Sequence, residues 1–239
     1  MTEAVLTDDA DGVLVITINR PEVRNAVNGE VARGLAAALD ALDGRDDLNV
    51  GVITGAGSTF CAGMDLKAFL TGERPAIPGR GFGGLTEAPP AKPLIAAVEG
   101  YALAGGCEIA LSCDLVVAAE TAKFGLPEVK RGLVAAAGGL LRLPRRIPYQ
   151  IAMELALTGE FLDAPRGYHF GLVNRLTATG GALAAARELA ATISGNGPLA
   201  VRATKSVIAG AGGWPAGEFC DRQRVIVAGS VNLISGLFR

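Results

Sequence analysis

Four short apolar runs, each closed by turn-forming residues, constrain this chain more than any other feature. Val13–Ile18 alternates β-branched and leucine positions and ends at Asn19-Arg20-Pro21, where Pro21 lacks the amide that a ladder requires. Residues 50–54 set Val50, Val52 and Ile53 between small residues and run into Gly55-Ala56-Gly57, the signature of a fully buried strand. Between these two, Asn28 is suited to cap a helix, and Val31, Leu35, Leu39 and Leu42 recur at helical spacing until Gly44. Strand, helix, strand in that order predicts a layered α/β fold. Leu94–Val98 and Leu115–Ala119 add two more buried strands. In the stretch between them, Gly105-Gly106 and the apolar run that follows predict a tight turn into a buried helix. Segment 72–93 carries five prolines, has no period, and reads as a surface excursion free to move. Beyond Pro127 the pattern predicts helices near 138–146, 148–157, 182–193 and 198–208, hence an all-helical C-terminal third.

A chain of 239 residues is long enough to bury a substantial core, as one large domain or two small ones. Lys and Arg (22) nearly balance Asp and Glu (24), so no net field draws this chain to nucleic acid or to an anionic membrane. Mean hydropathy is +0.36. The longest small or apolar run, 132–141, nevertheless contains three glycines and stops at Arg142, too short to cross a bilayer. Residues 1–11 are acidic and unlike a secretory signal, and the expected location is cytoplasmic. His169 is the single histidine, which removes support from His-rich metal sites and from most Ser-His and Cys-His schemes. Proton transfer must then fall to carboxylates, lysines, tyrosines or water. Cys61, Cys107, Cys113 and Cys220 form no C-x-x-C pair and are expected to be reduced and mostly buried.

The Gly55-x-Gly57 turn is a poor dinucleotide signature, because the third glycine of G-x-G-x-x-G would fall on Phe60. Neither a G-x-S-x-G elbow nor a phosphate-loop motif occurs. Two other glycine-bearing turns lead from a buried strand toward a helix start: Phe60-Cys61-Ala62-Gly63-Met64-Asp65-Leu66 and Ala102-Leu103-Ala104-Gly105-Gly106-Cys107-Glu108. Small residues there let a ligand approach the backbone, and the first-turn amides of a helix point outward as donors. Facing one another, the turns would bind a developing oxyanion; alternatively their glycines serve only tight packing. Glu108 and Glu128 both lie among apolar neighbours, as suits acid/base work with separated pKa values. The alternative is that Glu108 caps a helix and Glu128 pairs with Lys130 or Arg131.

Taken together, the two turns and the two glutamates resemble the enoyl-CoA hydratase (crotonase) family. The pieces that carry the likeness run in order from about Val13 to Arg224. They are Asn19-Arg20-Pro21 with Asn25-Ala26, the turn from Ala62 to Leu66, and Lys92-Pro93 leading into Ile95-Ala96-Ala97-Val98. Gly105-Gly106-Cys107-Glu108, Phe124 to Glu128, Gly138-Gly139 with Arg142-Leu143, and Gly171-Leu172-Val173 complete them. The resemblance implies an α/β spiral of ββα turns over 1–195 and a helical trimerisation region over 196–239, assembled as a homotrimer or dimer of trimers. It also implies an oxyanion hole made by the amides of Met64 and Gly105, holding the thioester oxygen of an acyl-CoA. Glu108 would orient water and Glu128 would exchange protons, so that water adds syn across the 2,3 double bond of a 2-enoyl-CoA. Arg24, Ala26, Ala62, Asp65 and Leu66 fall on the substrate side, Arg24 as a candidate phosphate contact and Asp65 chiefly ordering its turn. No cofactor is implied beyond the coenzyme A of the substrate, and no metal.

Within that family, Gly63 to Lys67 and Leu140-Leu141-Arg142-Leu143-Pro144 look similar to carnitinyl-CoA dehydratases and their hydratase neighbours. Aromatic residues make up only 5% of the chain, which favours a general enoyl-CoA over a quaternary-ammonium acyl group. Double-bond isomerisation is the nearest alternative reaction. Two departures from the family pattern stand out. Gly167 occupies a helix position usually given to alanine, at a cost of about 1 kcal/mol. Ser230-Val231-Asn232-Leu233-Ile234-Ser235-Gly236 lacks the usual acids and is followed only by Leu237-Phe238-Arg239. A poorly covered site, and at the extreme a weak acyl-CoA binder or assembly subunit, is the expectation that follows from that ending.

Overall fold

The structure, a computed structural model, describes residues 3–231. A six-stranded sheet in the order β1-β2-β3-β6-β8-β11 forms its centre. The strands are β1 (Val5–Ala10), β2 (Val13–Ile18), β3 (Val50–Gly55), β6 (Leu94–Val98), β8 (Leu115–Ala119) and β11 (Arg175–Thr177). Only β1 runs antiparallel to its neighbour; β2, β3, β6, β8 and β11 are parallel. The β1–β2 hairpin turns on Asp11-Gly12, both at positive φ (52° and 79°), the conformation that two-residue hairpin loops require.

Helix α1 (Gly29–Gly44) makes the crossover from β2 to β3. As expected, the Asn28 side chain accepts from the amide of Val31 at 3.0 Å, and Val31, Leu35, Leu39 and Leu42 are buried. The central strands are apolar along their length because both faces are covered. Ile16, Ile53, Ala96 and Val98 join the core beneath α1. Val15, Val52, Ile95, Ala97 and Val117 face Ala182, Ala186 and Ala190 of α7 (Ala182–Ser194).

A second, three-stranded sheet stacks β7 (Tyr101–Leu103), β9 (Lys123–Gly125) and β10 (Leu162–Asp163). Helix α3 (Gly105–Ser112) leaves β7 directly, and α4 (Gly139–Arg146) and α5 (Tyr149–Thr158) follow the turn of 127–131. Short α6 (Ala164–His169) contains Gly167, where a Cβ would stand 3.2 Å from a Val173 methyl, so the residue usual at that position would crowd its neighbours. Helices α8 (Pro198–Ala211) and α9 (Phe219–Val231) complete the described chain. Lys205 ties α8 to the body through the Lys92 carbonyl (2.9 Å) and Asp114 (2.6 Å).

Two expectations need correction. The C-terminal third is not all helix: β10 and β11 lie within it, and β11 closes the edge of the main sheet. Strands of two and three residues leave no periodicity to read, and only pairing defines them, β10 with β9 and β11 with β8. Nor is 72–93 wholly a surface excursion. Gly81, Gly83, Gly84, Leu85 and Thr86 are buried, and a three-residue loop, 78–80, joins β4 (Ala76–Ile77) to β5 (Gly81–Phe82) in a hairpin. The altered C-terminal segment lies, from 232 onward, outside the described residues, and with it the expectation of an uncovered site.

Candidate active site

Buried Asn25, at φ +56°, fastens the loop after β2 to the end of β3. Its side chain accepts from the Arg20 amide at 3.0 Å and donates to the carbonyls of Ala56 (2.9 Å) and Thr59 (2.6 Å). Arg20 in turn donates to the Ala26 carbonyl and pairs with Asp65 at 2.9 Å. Asp65 caps the short helix α2 (Leu66–Leu70) by accepting from the amides of Lys67 and Ala68, both at 3.1 Å. The Asn-Arg-Pro and Asn-Ala residues are therefore scaffolding. What they hold is the first glycine turn, laid beside residue 27 by Val27 N–H to Gly63 (2.8 Å) and Asp65 N–H to Val27 (2.9 Å). Met64, bridged to Val27 in this way, turns its own amide away from that strand, and among the described residues it donates to no acceptor.

The second turn is clamped to the first. Cys61 N–H donates to Tyr101 at 2.9 Å, and Leu103 N–H donates to Cys61 at 3.0 Å. Ala104 lies at φ +50°, ψ −127°, a conformation that disfavours any residue with a Cβ, and it swings the chain straight into α3. Gly105 is the first residue of that helix, and its amide too lacks an acceptor among the described residues. A Cβ on Gly63 would stand 3.1 Å from the Gly105 nitrogen, and one on Gly106 would stand 2.2 Å from the Cys61 carbonyl oxygen. The glycines thus pack the two turns together and bring Gly63 against the amide of Gly105. Sequence reasoning missed Phe82. Its ring would meet a Cβ on Gly105 at 2.5 Å, so it packs on the first residue of α3 from the segment expected to be outermost. The lack of any period in 72–93 hid it.

Glu108, one turn into α3, is buried at 3% exposure. One carboxylate oxygen accepts from the amides of Ala137 (2.7 Å) and Gly139 (2.9 Å) at the start of α4. The helix-capping alternative thus holds in space, since the helix capped lies 31 residues further along the chain. Burial pushes the Glu108 carboxyl above the usual carboxylate range, against the two amides and the Arg142 charge, which pull it down. Glu128, in the turn before α4, makes no ion pair with Lys130, which pairs with Glu160 at 2.7 Å. Its Oε2 is buried without a hydrogen-bond partner, and burial, then the negative Glu108, push its carboxyl up as well. Glu128 forms the polar edge of an apolar cavity of about 370 Å³ walled by Leu126, Val134, Leu140, Leu143 and Met153.

Of the remaining candidates, Arg24 is exposed, and its carbonyl accepts from the Ala62 amide at 3.0 Å, which sets those two residues together. Ala26 is buried beneath the first turn and Leu66 is exposed on α2. The thiols of Cys61 and Cys107 are pushed up to about 12 by burial, and Cys113 higher still, so none is a nucleophile; Cys220 is exposed. Among the described residues no group of three His, Cys, Asp or Glu side chains is placed to hold a metal, and no helix is long and apolar enough to cross a membrane.

Residues 8–211 match the family model described as enoyl-CoA hydratase/isomerase. The chain belongs to that family. Enoyl-CoA hydratase EchA19 of Mycobacterium tuberculosis is 44% identical over 201 residues, 80% of this chain and 74% of that protein. Carnitinyl-CoA dehydratase of Salmonella typhi is 42% identical over 214 residues, 87% of this chain and 80% of its own. Among solved structures, an enoyl-CoA hydratase from Mycobacterium tuberculosis H37Rv superposes with a TM-score of 0.95 at 58% identity, covering 96% of this chain and 91% of that one. The architecture described above is accordingly the crotonase fold.

Proposed function

We propose that this enzyme adds water syn across the 2,3 double bond of a 2-enoyl-CoA and catalyses the reverse dehydration. The observation that carries the reading is a pair of buried carboxyls, close enough for the charge of Glu108 to raise Glu128, of which one is anchored and the other has an oxygen left open. The Glu108 side chain is fixed through one oxygen by two amides, whereas Glu128 keeps a buried oxygen with no partner. The amides of Met64 and Gly105 would take the thioester oxygen, drawing electron density from C3 and stabilising the enolate formed when water attacks there. Each such donor contributes roughly 3 kcal/mol to a transition state of this kind. Glu108 orients the attacking water by accepting its hydrogen bond; as the water oxygen bonds to C3 and the C2–C3 π bond breaks, Glu128 takes the proton that water releases and passes it to C2. Delivery of oxygen and proton by the two carboxyls from the same side of the double bond would make the addition syn. The upward shift of both carboxyls suits this exchange, because it moves them from permanent anions toward groups that can both take and give a proton.

The hydrocarbon wall beside Glu128 supports an acyl group of methylenes and methyls over one ending in trimethylammonium, which would require acids or aromatic faces. Arg24, Ala26, Ala62, Asp65 and Leu66 are the candidates for the coenzyme A side, with Asp65 acting through the order of its turn. We assign 1–195 to the spiral core and 196–239 to a helical assembly region. Large apolar side chains left exposed on α4, α5, α8 and α9, such as Leu141, Leu157, Ile208 and Val225, support a homotrimer or a dimer of trimers in the cytoplasm. The reading needs no cofactor beyond the coenzyme A carried by the substrate.

Loss of enoyl absorbance from crotonyl-CoA tests the activity, and NMR of the product formed in deuterated water tests the face of addition. Anti addition would refute the geometry. Migration of a 3-enoyl-CoA double bond without water uptake would make the enzyme an isomerase, and preferential turnover of carnitinyl-CoA would overturn the acyl assignment.

A further inference from the structure

Arg142 lies on α4, half-buried, and among the described residues it has no carboxylate within ion-pair distance. A guanidinium in that state requires an explanation, since burial costs it hydration. One end of the fork donates to the Thr86 carbonyl at 2.5 Å, and the other reaches the Ala137 carbonyl at 3.4 Å. Its Nη1 end also abuts Gly138, where a Cβ would stand 2.2 Å from Nη1. The same three-residue turn, 137–139, supplies both amides that hold Glu108. Arg142 therefore joins the buried part of 80–87 to the turn that grips the carboxylate, with its positive charge behind that turn.

We propose that Arg142 is a positioning residue for the hydration reaction: it fixes the 137–139 turn against Glu108 and keeps a permanent cation facing that carboxylate. The assignment rests on the reading of Glu108 as the group that handles water. Arg142 acts on Glu108 in the direction that favours the anion, and Glu108 acts reciprocally on Arg142. The other charges around the pair do not replace it. Arg146 spends its fork on the carbonyls of Leu111, Cys113 and Asp114 at the far end of α3, and Arg145 is exposed. Glu128 is a carboxyl and supplies no positive charge, and the thiols of Cys107 and Cys113 stay protonated.

Two substitutions separate shape from charge. Arg142→Gln removes the cation, so Glu108 should titrate at higher pH, and the acid limb of kcat/KM should move up with it. Arg142→Lys keeps the cation without the planar fork. Its acid limb should stay, while kcat falls about 10- to 100-fold because the turn is no longer tied. The carboxyl resonance of Glu108, assigned by its loss in Glu108→Gln, reports the same titration by carbon NMR without any turnover. An unmoved Glu108 titration in folded Arg142→Gln overturns the electrostatic half, and full kcat in Arg142→Lys overturns the positioning half. If Arg142→Gln does not fold, the Lys variant decides alone, and full kcat there refutes the proposal. A wild-type protein without hydratase turnover would refute the proposed function and leave the NMR titration to judge Arg142 separately.

Discussion

Replacing Glu108 in two ways separates its chemical duty from its structural one. Glutamine keeps an acceptor oxygen for the Ala137 and Gly139 amides, now 2.7 and 2.9 Å from the carboxylate, but carries no charge and cannot take a proton. Alanine removes the acceptor and leaves two buried donors unsatisfied, at about 1–3 kcal/mol each. A loss of about 4 kcal/mol in a chain of this size lowers Tm by roughly 8–16 °C. Burial raises the Glu108 carboxyl, so the native state binds its proton more tightly than the unfolded chain does. Stability therefore falls as pH rises from the ordinary carboxylate range through the raised native value. The Gln variant escapes that loss: it should match wild type at low pH and exceed it at neutral pH. Both variants should lose about 10²- to 10⁴-fold in crotonyl-CoA hydration, with KM changed only a few-fold in Glu108→Gln. Thermal melts across pH and initial rates at the enoyl absorbance check these outcomes. Retained turnover in the Gln variant, or an Ala variant as stable as the Gln one, would refute the reasoning.

Glu128→Gln should also cost about 10²- to 10⁴-fold in turnover while raising stability at neutral pH, since its buried oxygen has no partner to lose; a destabilised variant in melts would contradict that account. Gly105→Ala should destabilise by about 1–3 kcal/mol through its clash with the Phe82 ring, and Phe82→Leu in the same chain should recover part of the loss; denaturant titrations showing additive effects would deny the contact. Gly105→Pro deletes the donor itself and should abolish turnover, so surviving activity would remove that amide from the oxyanion hole. Ala104→Gly should relieve the φ +50° conformation and raise stability by about 1 kcal/mol, and a lower Tm would show that the turn is not strained.

Much of the fold was legible along the chain because the signals were local. Asn28 caps α1 through its own third neighbour, and the four buried strands announced themselves by short runs of β-branched, leucine and small residues closed by turn formers. Glu108 and Glu128 could be singled out because a carboxylate among apolar neighbours is conspicuous by composition alone. Other features have no local signal. Three-residue β11 exists only through pairing with β8, and Phe82 reaches Gly105 from a stretch without period.

By itself, then, the sequence determined the α/β layering, the two glycine turns and the identity of both carboxylates, all of which follow from residue type and short-range spacing. Tertiary structure alone decided that Gly63 packs on the amide of Gly105, that one oxygen of Glu108 is held by residues 29 and 31 positions away, and that one buried oxygen of Glu128 is left without a partner. The physical reason is that donor geometry and carboxyl pKa depend on which segments meet in space and how much water they exclude. Both are sums over contacts between distant parts of the chain, and neither is written at any single position.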